Sequence, residues 1–245
     1  MRAFLAALGF LTILPVPAAG EEDLRRSVPW FPVVGLLIGG LVAGLDYVVG
    51  RVFPPLVTSV LTMIALIGVS GGLHLDGLAD TADGFLSSPR SDRGVLEIMK
   101  DSRIGTMSAL AIASVIALKI AALSSTSPSM RFGTILLMPL AGRCAIVMAM
   151  AVIPYARPEG GLGSAFAGDH TIGGIVSLAV LGIAGWLAMG GIGLVSGFLA
   201  LCVALFMAIW SYRKIGGYTG DVLGAVCEIA EMTPVLVAAA LLHLW

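Results

Sequence analysis

Residues 132–153 read FGTILLMPLAGRCAIVMAMAVI, an apolar run broken by a single charge, Arg143. At about 1.5 Å rise per residue, a helix of this length crosses the ~30 Å hydrocarbon core of a bilayer. Comparable runs lie at about 32–50, 54–75, 106–124, 172–190, 191–211 and 224–244. The composition agrees: 58% of residues are hydrophobic, 12% are charged, and the mean hydropathy is +1.01. The charged fraction is about half that of a soluble domain. The 32 glycines follow no Gly-X-Y period and suit close helix packing in lipid. The expected fold is all-α: a polytopic integral membrane helical bundle of about seven transmembrane helices, forming one domain over residues 1–245. The stretch 172–211 reads either as a hairpin or as one broken element. Residues 3–14, ahead of Pro15-Val16-Pro17, are too short to span and read as a short N-terminal interfacial helix.

Loop charges orient the bundle. With the N-terminus inside, the cytoplasmic segments carry Arg2, Arg25, Arg26, Arg90, Arg93, Lys100, Arg103, Arg157, Arg213 and Lys214, and the outer loops carry only Arg51 and Arg131. That asymmetry fits the positive-inside rule with seven spans in the cytoplasmic (inner) membrane. It puts the 76–105 and 211–223 loops on one face, the cytoplasmic one. A net charge of -1 and few aromatic residues argue against nucleic acid as a partner. Cys144, Cys202 and Cys227 are isolated in apolar stretches and read as buried free thiols. Lys119 reads as snorkelling from a span end, and Asp46 as lying near the outer interface.

Roughly half of all charged residues fall in two patches. The first begins Gly71-Gly72-Leu73-His74-Leu75-Asp76-Gly77-Leu78-Ala79-Asp80-Thr81-Ala82-Asp83-Gly84. Asp76, Asp80 and Asp83 are spaced i, i+4, i+7 and share one helix stripe. Carboxylates stacked in this way repel one another unless a cation sits between them. Mg²⁺ suits hard oxygen ligands and keeps coordination sites for phosphate. His74 is placed to hydrogen-bond a phosphate or orient a carboxylate. Lys100 and Arg103, flanking Asp101, are candidates for phosphate oxygens.

The second patch runs Gly216-Gly217-Tyr218-Thr219-Gly220-Asp221, followed by Glu228 and Glu231. Its glycines make a turn whose N–H groups can cradle an anion, with the Thr219 hydroxyl beside them. Asp221, Glu228 and Glu231 share a face of the last helix, which extends the metal-ligand set to Asp76, Asp80, Asp83, Asp221 and Glu228. Arg143, inside its span, needs a partner: Glu228, Glu231 or a substrate phosphate. His170 and His243 show no partner pattern.

These segments, with Phe31–Gly39 and Met99–Thr106, together resemble cobalamin synthase, the adenosylcobinamide-GDP ribazoletransferase family. They run through most of the chain in family order. Two departures stand out. Ile13 occupies a position where the family often has Arg, and Met107-Ser108 replaces an expected Phe-Gly pair, read as a packing change. The resemblance implies a membrane transferase that links adenosylcobinamide-GDP to α-ribazole or its 5′-phosphate and releases GMP. It implies Mg²⁺ as cofactor, with Asp76, Asp80 and Asp83 as ligands and Asp221 as a further ligand or base. Phosphates would lie on Lys100, Arg103 and the turn at Gly217, Thr219 and Gly220, with His74 and Arg143 as further contacts and Lys100 also acting in catalysis. Membrane lipid surrounds such a protein, and a homo-oligomer or association with other corrinoid-pathway enzymes fits the same reading.

Two other readings start from the same residues. A CDP-alcohol-type phosphotransferase has Asp-Gly-x-x-Ala with an Arg soon after, whereas Asp76-Gly77-Leu78-Ala79 here runs into Asp80. A transporter would use Arg143, Glu228 and Glu231 to line an ion path, but the chain has no internal repeat and its charge gathers at one membrane face.

Overall fold

The structure is a computed structural model that describes all residues except 88–91, 102, 158–159, 161 and 242–245. Arg90 of the charge count and His243 lie outside the described residues, as does the side chain of Arg93. The described chain is helical: α1 Arg2–Leu11, α2 Glu21–Arg25, α3 Phe31–Val49, α4 Pro55–Ser70, α5 Leu73–Leu86, α6 Asp92–Ile98, α7 Thr106–Ser124, α8 Pro128–Val152, α9 Thr171–Met189, α10 Gly191–Ile215 and α11 Gly220–Leu241. Short 3₁₀ turns cover Val28–Trp30 and Leu162–Phe166. Proline in the first turn of α3, α4 and α8 pre-sets the helical φ where no intrahelical N–H bond is needed. Among the described residues six helices are long and apolar enough to cross a membrane, and α4 with α5 forms a seventh, bent by 91°. The all-α membrane bundle read from the sequence is therefore the observed fold.

The expected span 54–75 does not run straight. It stops at Ser70, and Gly71 and Gly72 take left-handed φ of 62° and 73° before α5 sets off in a new direction. Residues with a Cβ rarely adopt two such angles in succession, so the Gly-Gly pair is what permits the elbow. The stretch 172–211 is a hairpin: α9 ends and α10 begins at Gly190, with φ 59°.

Contacts at the two ends of the bundle establish alternation. At one end, Arg131 at the start of α8 bonds Asp46 near the end of α3 (2.7 and 2.8 Å), Ser59 of α4 and the Leu123 carbonyl of α7. Asp46, expected near the outer interface, is thus a buried ion-pair partner, held also by Thr62. At the other end lie the N-termini of α7 and α11, the C-terminus of α8, and the C-terminal part of α5, where Asp83 meets the start of α7. The polar loops around 99–105 and 216–220 therefore share one face. α8 and α11 are the most buried spans and form the centre. α9 and α10 expose Ile175, Ile183, Leu187, Phe198 and Phe206 outward, as lipid-facing helices do. Cys202 belongs to this outward surface; of the three cysteines only Cys144 and Cys227 are buried.

The centre is apolar except for one charged knot. Lys119 of α7 lies between Glu228 (2.6 Å) and Glu231 (2.7 Å) of α11. Arg143 of α8 donates to the other oxygen of Glu231 and stands 3.5 Å from His74 Nδ1. Lys119 is 3% exposed and Arg143 1%, so neither snorkels. Two cations and two anions sum to zero, which is how four charges persist inside a span region. Lys119→Met leaves a surplus buried carboxylate and should cost about 3–5 kcal/mol. The melting midpoint in detergent should fall steeply, and the double variant Lys119→Met/Glu228→Gln, neutral again, should recover most of the loss.

Candidate active site

The site is built where α5 crosses α11. A Cβ on Gly77 would stand 2.6 Å from the Asp221 carbonyl oxygen, and one on Gly224 would stand 3.0 Å from the Gly77 Cα. Only glycine on both helices permits this approach. The crossing carries Asp76 and Asp80 on α5 to Asp221 in the first turn of α11. Asp80 faces the like charges of Asp221, Asp76 and Asp83, with Arg157 as the opposing cation.

Arg157 is the functional residue that sequence reasoning passed over. It was counted only as loop charge, yet its guanidinium donates to Asp221 Oδ2 at 2.7 Å. Its Nε is buried without a partner. Arg157 reaches the site because residues 154–156 are clipped to the Gly-rich turn: Tyr218 N–H donates to the Pro154 carbonyl and Ala156 N–H to the Tyr218 carbonyl, both at 2.8 Å. The rings of Tyr155 and Tyr218 meet edge-on at 5.5 Å. The only local signal was position, a charge just after a span.

The other predicted residues divide. Gly217 is buried against the Pro154 carbonyl, so it serves this clip. Thr219 caps α11, accepting from Val222 N–H at 3.2 Å, and reaches Asp221 Oδ2 at 3.4 Å. Gly220, exposed at the helix N-terminus, opens onto a cavity where free N–H groups and the helix dipole favour anions.

Asp83 turns away from its two companions. It accepts from Gly105 N–H (2.7 Å), Ser108 N–H (3.0 Å) and the Ser108 hydroxyl, and so caps α7 from outside. Ser108 also donates to the Ala79 carbonyl at 2.9 Å. Ser108 thus ties the start of α7 to α5 by hydrogen bonds.

Glu228 does not join the aspartates. It lies seven residues beyond Asp221, about 10 Å along the axis, and its carboxylate is held by Lys119. Arg143 and His74 likewise belong to the buried knot, although His74 also borders the site. Asp101 is taken by Arg103, which donates from Nε and Nη2 and holds its carboxyl down to about 2 through those bonds. Lys100 and Arg103 border a groove on the far side of α5.

Two hollows meet at this crossing. A cavity of about 190 Å³ lies between α1, α3, α5, α8 and α11, and Asp76, Arg157, Gly220 and Asp221 supply its charged and helix-terminal lining. A wider groove of about 760 Å³ runs past Asp76, Asp80, Lys100 and Arg103. Asp76 borders both.

Among the described residues no three His, Cys, Asp or Glu side chains already converge to grip a metal. Asp221 is turned to Arg157 and Asp83 to α7. In chemistry the remaining set fits a divalent cation. Asp76, Asp80 and Asp221 are hard oxygen donors held together by a backbone contact, and one arginine leaves their charge undercompensated.

The sequence profile described as cobalamin-5-phosphate synthase matches residues 3–239. Curated relatives bear the name adenosylcobinamide-GDP ribazoletransferase. That of Acetivibrio thermocellus is 44% identical over 94% of this chain and 94% of its own length. That of Roseiflexus sp. (strain RS-1) is 42% identical over 92% and 85%, and that of Brevibacillus brevis 37% identical over 97% of each. No solved structure matches the chain. Profile and relatives run through both aspartate-bearing helices and every span, and the chain belongs to the cobalamin-5-phosphate synthase family.

Proposed function

We propose that this chain is an adenosylcobinamide-GDP ribazoletransferase, a membrane transferase that joins α-ribazole or its 5′-phosphate to the cobinamide phosphate and releases GMP. The observation that carries the reading is the glycine-to-glycine crossing that sets Asp76 and Asp80 against Asp221, with Arg157 beside them. Such a cluster, between two hollows, suits a reaction between a pyrophosphate-bearing donor and a hydroxyl acceptor.

The acceptor hydroxyl oxygen attacks the phosphorus attached to cobinamide. A P–O bond forms there, and the bond to the bridging oxygen breaks with its electron pair leaving on GMP. The hydroxyl proton passes to a carboxylate of the cluster, Asp76 or Asp80. Arg157 balances charge on the pyrophosphate, and the α11 N-terminus at Gly220 offers N–H donors to the same oxygens. Lys100 and Arg103 bind phosphate in the groove. Asp76, Asp80 and Asp221 would hold Mg²⁺. When bound, the ion neutralises the pyrophosphate and the departing GMP. Asp221 would have to be released from Arg157 as substrate draws the guanidinium to its phosphates. The loop charges support a cytoplasmic site in the inner membrane.

The direct test is GMP release from adenosylcobinamide-GDP and α-ribazole by purified protein in nanodiscs, with Mg²⁺ and with chelator. The expected result is turnover that chelation abolishes; no release with authentic substrates sinks the assignment. Asp80→Asn should lower kcat by about 10²-fold or more, and full turnover would remove Asp80 from the site. Arg157→Ala should reduce kcat/KM by roughly 10²–10³-fold, as loss of a preorganised charge partner does. Gly77→Ala should force α5 from α11, costing about 1–3 kcal/mol of stability and most of the activity. Melting and turnover measured on one preparation check both effects.

A further inference from the structure

We infer that the cavity between α1, α3, α5, α8 and α11 receives the base of the nucleoside acceptor, with Phe10, Phe31 and Phe166 as its walls and His74 as its single uncharged polar side chain. This rests on the ribazoletransferase reading above.

The cavity divides by chemistry. Its polar end holds Asp76, Arg157, Gly220 and Asp221; away from them it is bordered by the three phenylalanines, with Ile146 and Met150. The phenylalanines come from three separate elements and meet as one aromatic cluster: Phe10 to Phe166 at 4.5 Å, Phe31 to Phe166 at 5.8 Å and Phe10 to Phe31 at 6.0 Å. Phe166 is fixed from behind, because His170 Nε2 donates to its carbonyl at 2.5 Å. Planar aromatic walls select planar aromatic ligands.

Size excludes one substrate. A cavity of about 150 Å³ lined by apolar side chains takes up benzene, so 190 Å³ admits a fused two-ring base. It is far too small for a corrin macrocycle, which needs the open groove of about 760 Å³ bordered by Lys100 and Arg103.

Polarity chooses between the two bases in the reaction. Guanine carries several donors and acceptors on its edge, and each needs a partner when buried. The cavity lining offers one uncharged polar side chain, His74. Arg143 approaches His74 Nδ1 as a donor, so Nδ1 accepts and the imidazole proton sits on Nε2. That Nε2 is buried and has no partner, and His74 borders the cavity. One N–H donor matches a benzimidazole-type base, which presents one ring-nitrogen acceptor and otherwise only apolar edges.

The arrangement also serves the chemistry. With its base among the phenylalanines, the acceptor's ribose extends to Asp76. The donor pyrophosphate meets it at the polar end, beside Arg157 and Gly220, and the corrinoid extends past Asp76 into the groove.

The test is substrate-resolved kinetics on nanodisc-embedded protein, with calorimetric binding of α-ribazole alone. Phe166→Ala and, as a variant on the half-buried α1, Phe10→Ala should raise the KM and Kd for α-ribazole at least tenfold. The KM for adenosylcobinamide-GDP should stay within twofold. On the wild-type protein, an indole riboside lacking the acceptor nitrogen should bind about tenfold more weakly than the benzimidazole riboside. Variants with wild-type melting midpoints and unchanged α-ribazole constants would overturn the inference. So would a rise confined to the KM of the nucleotide donor, which would assign the cavity to guanosine. Failure of the functional reading is separate: it is the absence of GMP release by the wild-type protein.

Discussion

The candidate site depends on two helices touching through their backbones. α5 and α11 meet at Gly77 and Gly224 with no side chain between them. Carboxylates on facing helices repel, and side-chain packing alone would hold the axes about 8–10 Å apart. A glycine pair removes the spacer, so Asp76 and Asp80 on α5 and Asp221 on α11 border one crossing. Other features supply what that contact needs. The elbow at Gly71 and Gly72 brings α5 across the end of the bundle. The clip between Pro154 and Tyr218 delivers Arg157. The knot of Lys119, Arg143, Glu228 and Glu231 holds α7, α8 and α11 in register deeper in the core.

The membrane architecture was largely legible in the sequence, because an apolar run of spanning length has few other uses. The family motifs were legible too, and they mark the segments that the fold brings together. Direction was harder. Apolar character continues past residue 70, so hydropathy sees one span to residue 75. The turn is decided by two φ angles that composition does not report.

The candidate site was legible as a list of residues and less so as an arrangement. The i, i+4, i+7 stripe correctly puts three aspartates on one face of α5, but a face looks at more than one neighbour, and Asp83 looks at the start of α7. Spacings of 7 and 3 put Asp221, Glu228 and Glu231 on one stripe of α11. The stripe runs along the axis, so its far end belongs to the core. Lys119 read as a snorkelling residue because its partners lie more than a hundred positions away. Arg157 has no motif at all; only the bridge to Tyr218 gives it a role.

The charged knot has a consequence for how the chain is made. Lys119 and Arg143 are synthesised long before Glu228 and Glu231, their carboxylate partners in the core. A lone Lys or Arg at the centre of an inserting helix costs about 2.5–3.5 kcal/mol on the translocon scale. α7 and α8 therefore enter the bilayer each carrying an uncompensated cation, and α11 enters carrying two anions. Pairing comes only when α11 enters. Assembly of the bundle thus includes a neutralisation step, and the helix that makes it is the one that carries Asp221. A nascent chain that has not placed α11 has neither a quiet core nor a complete candidate site.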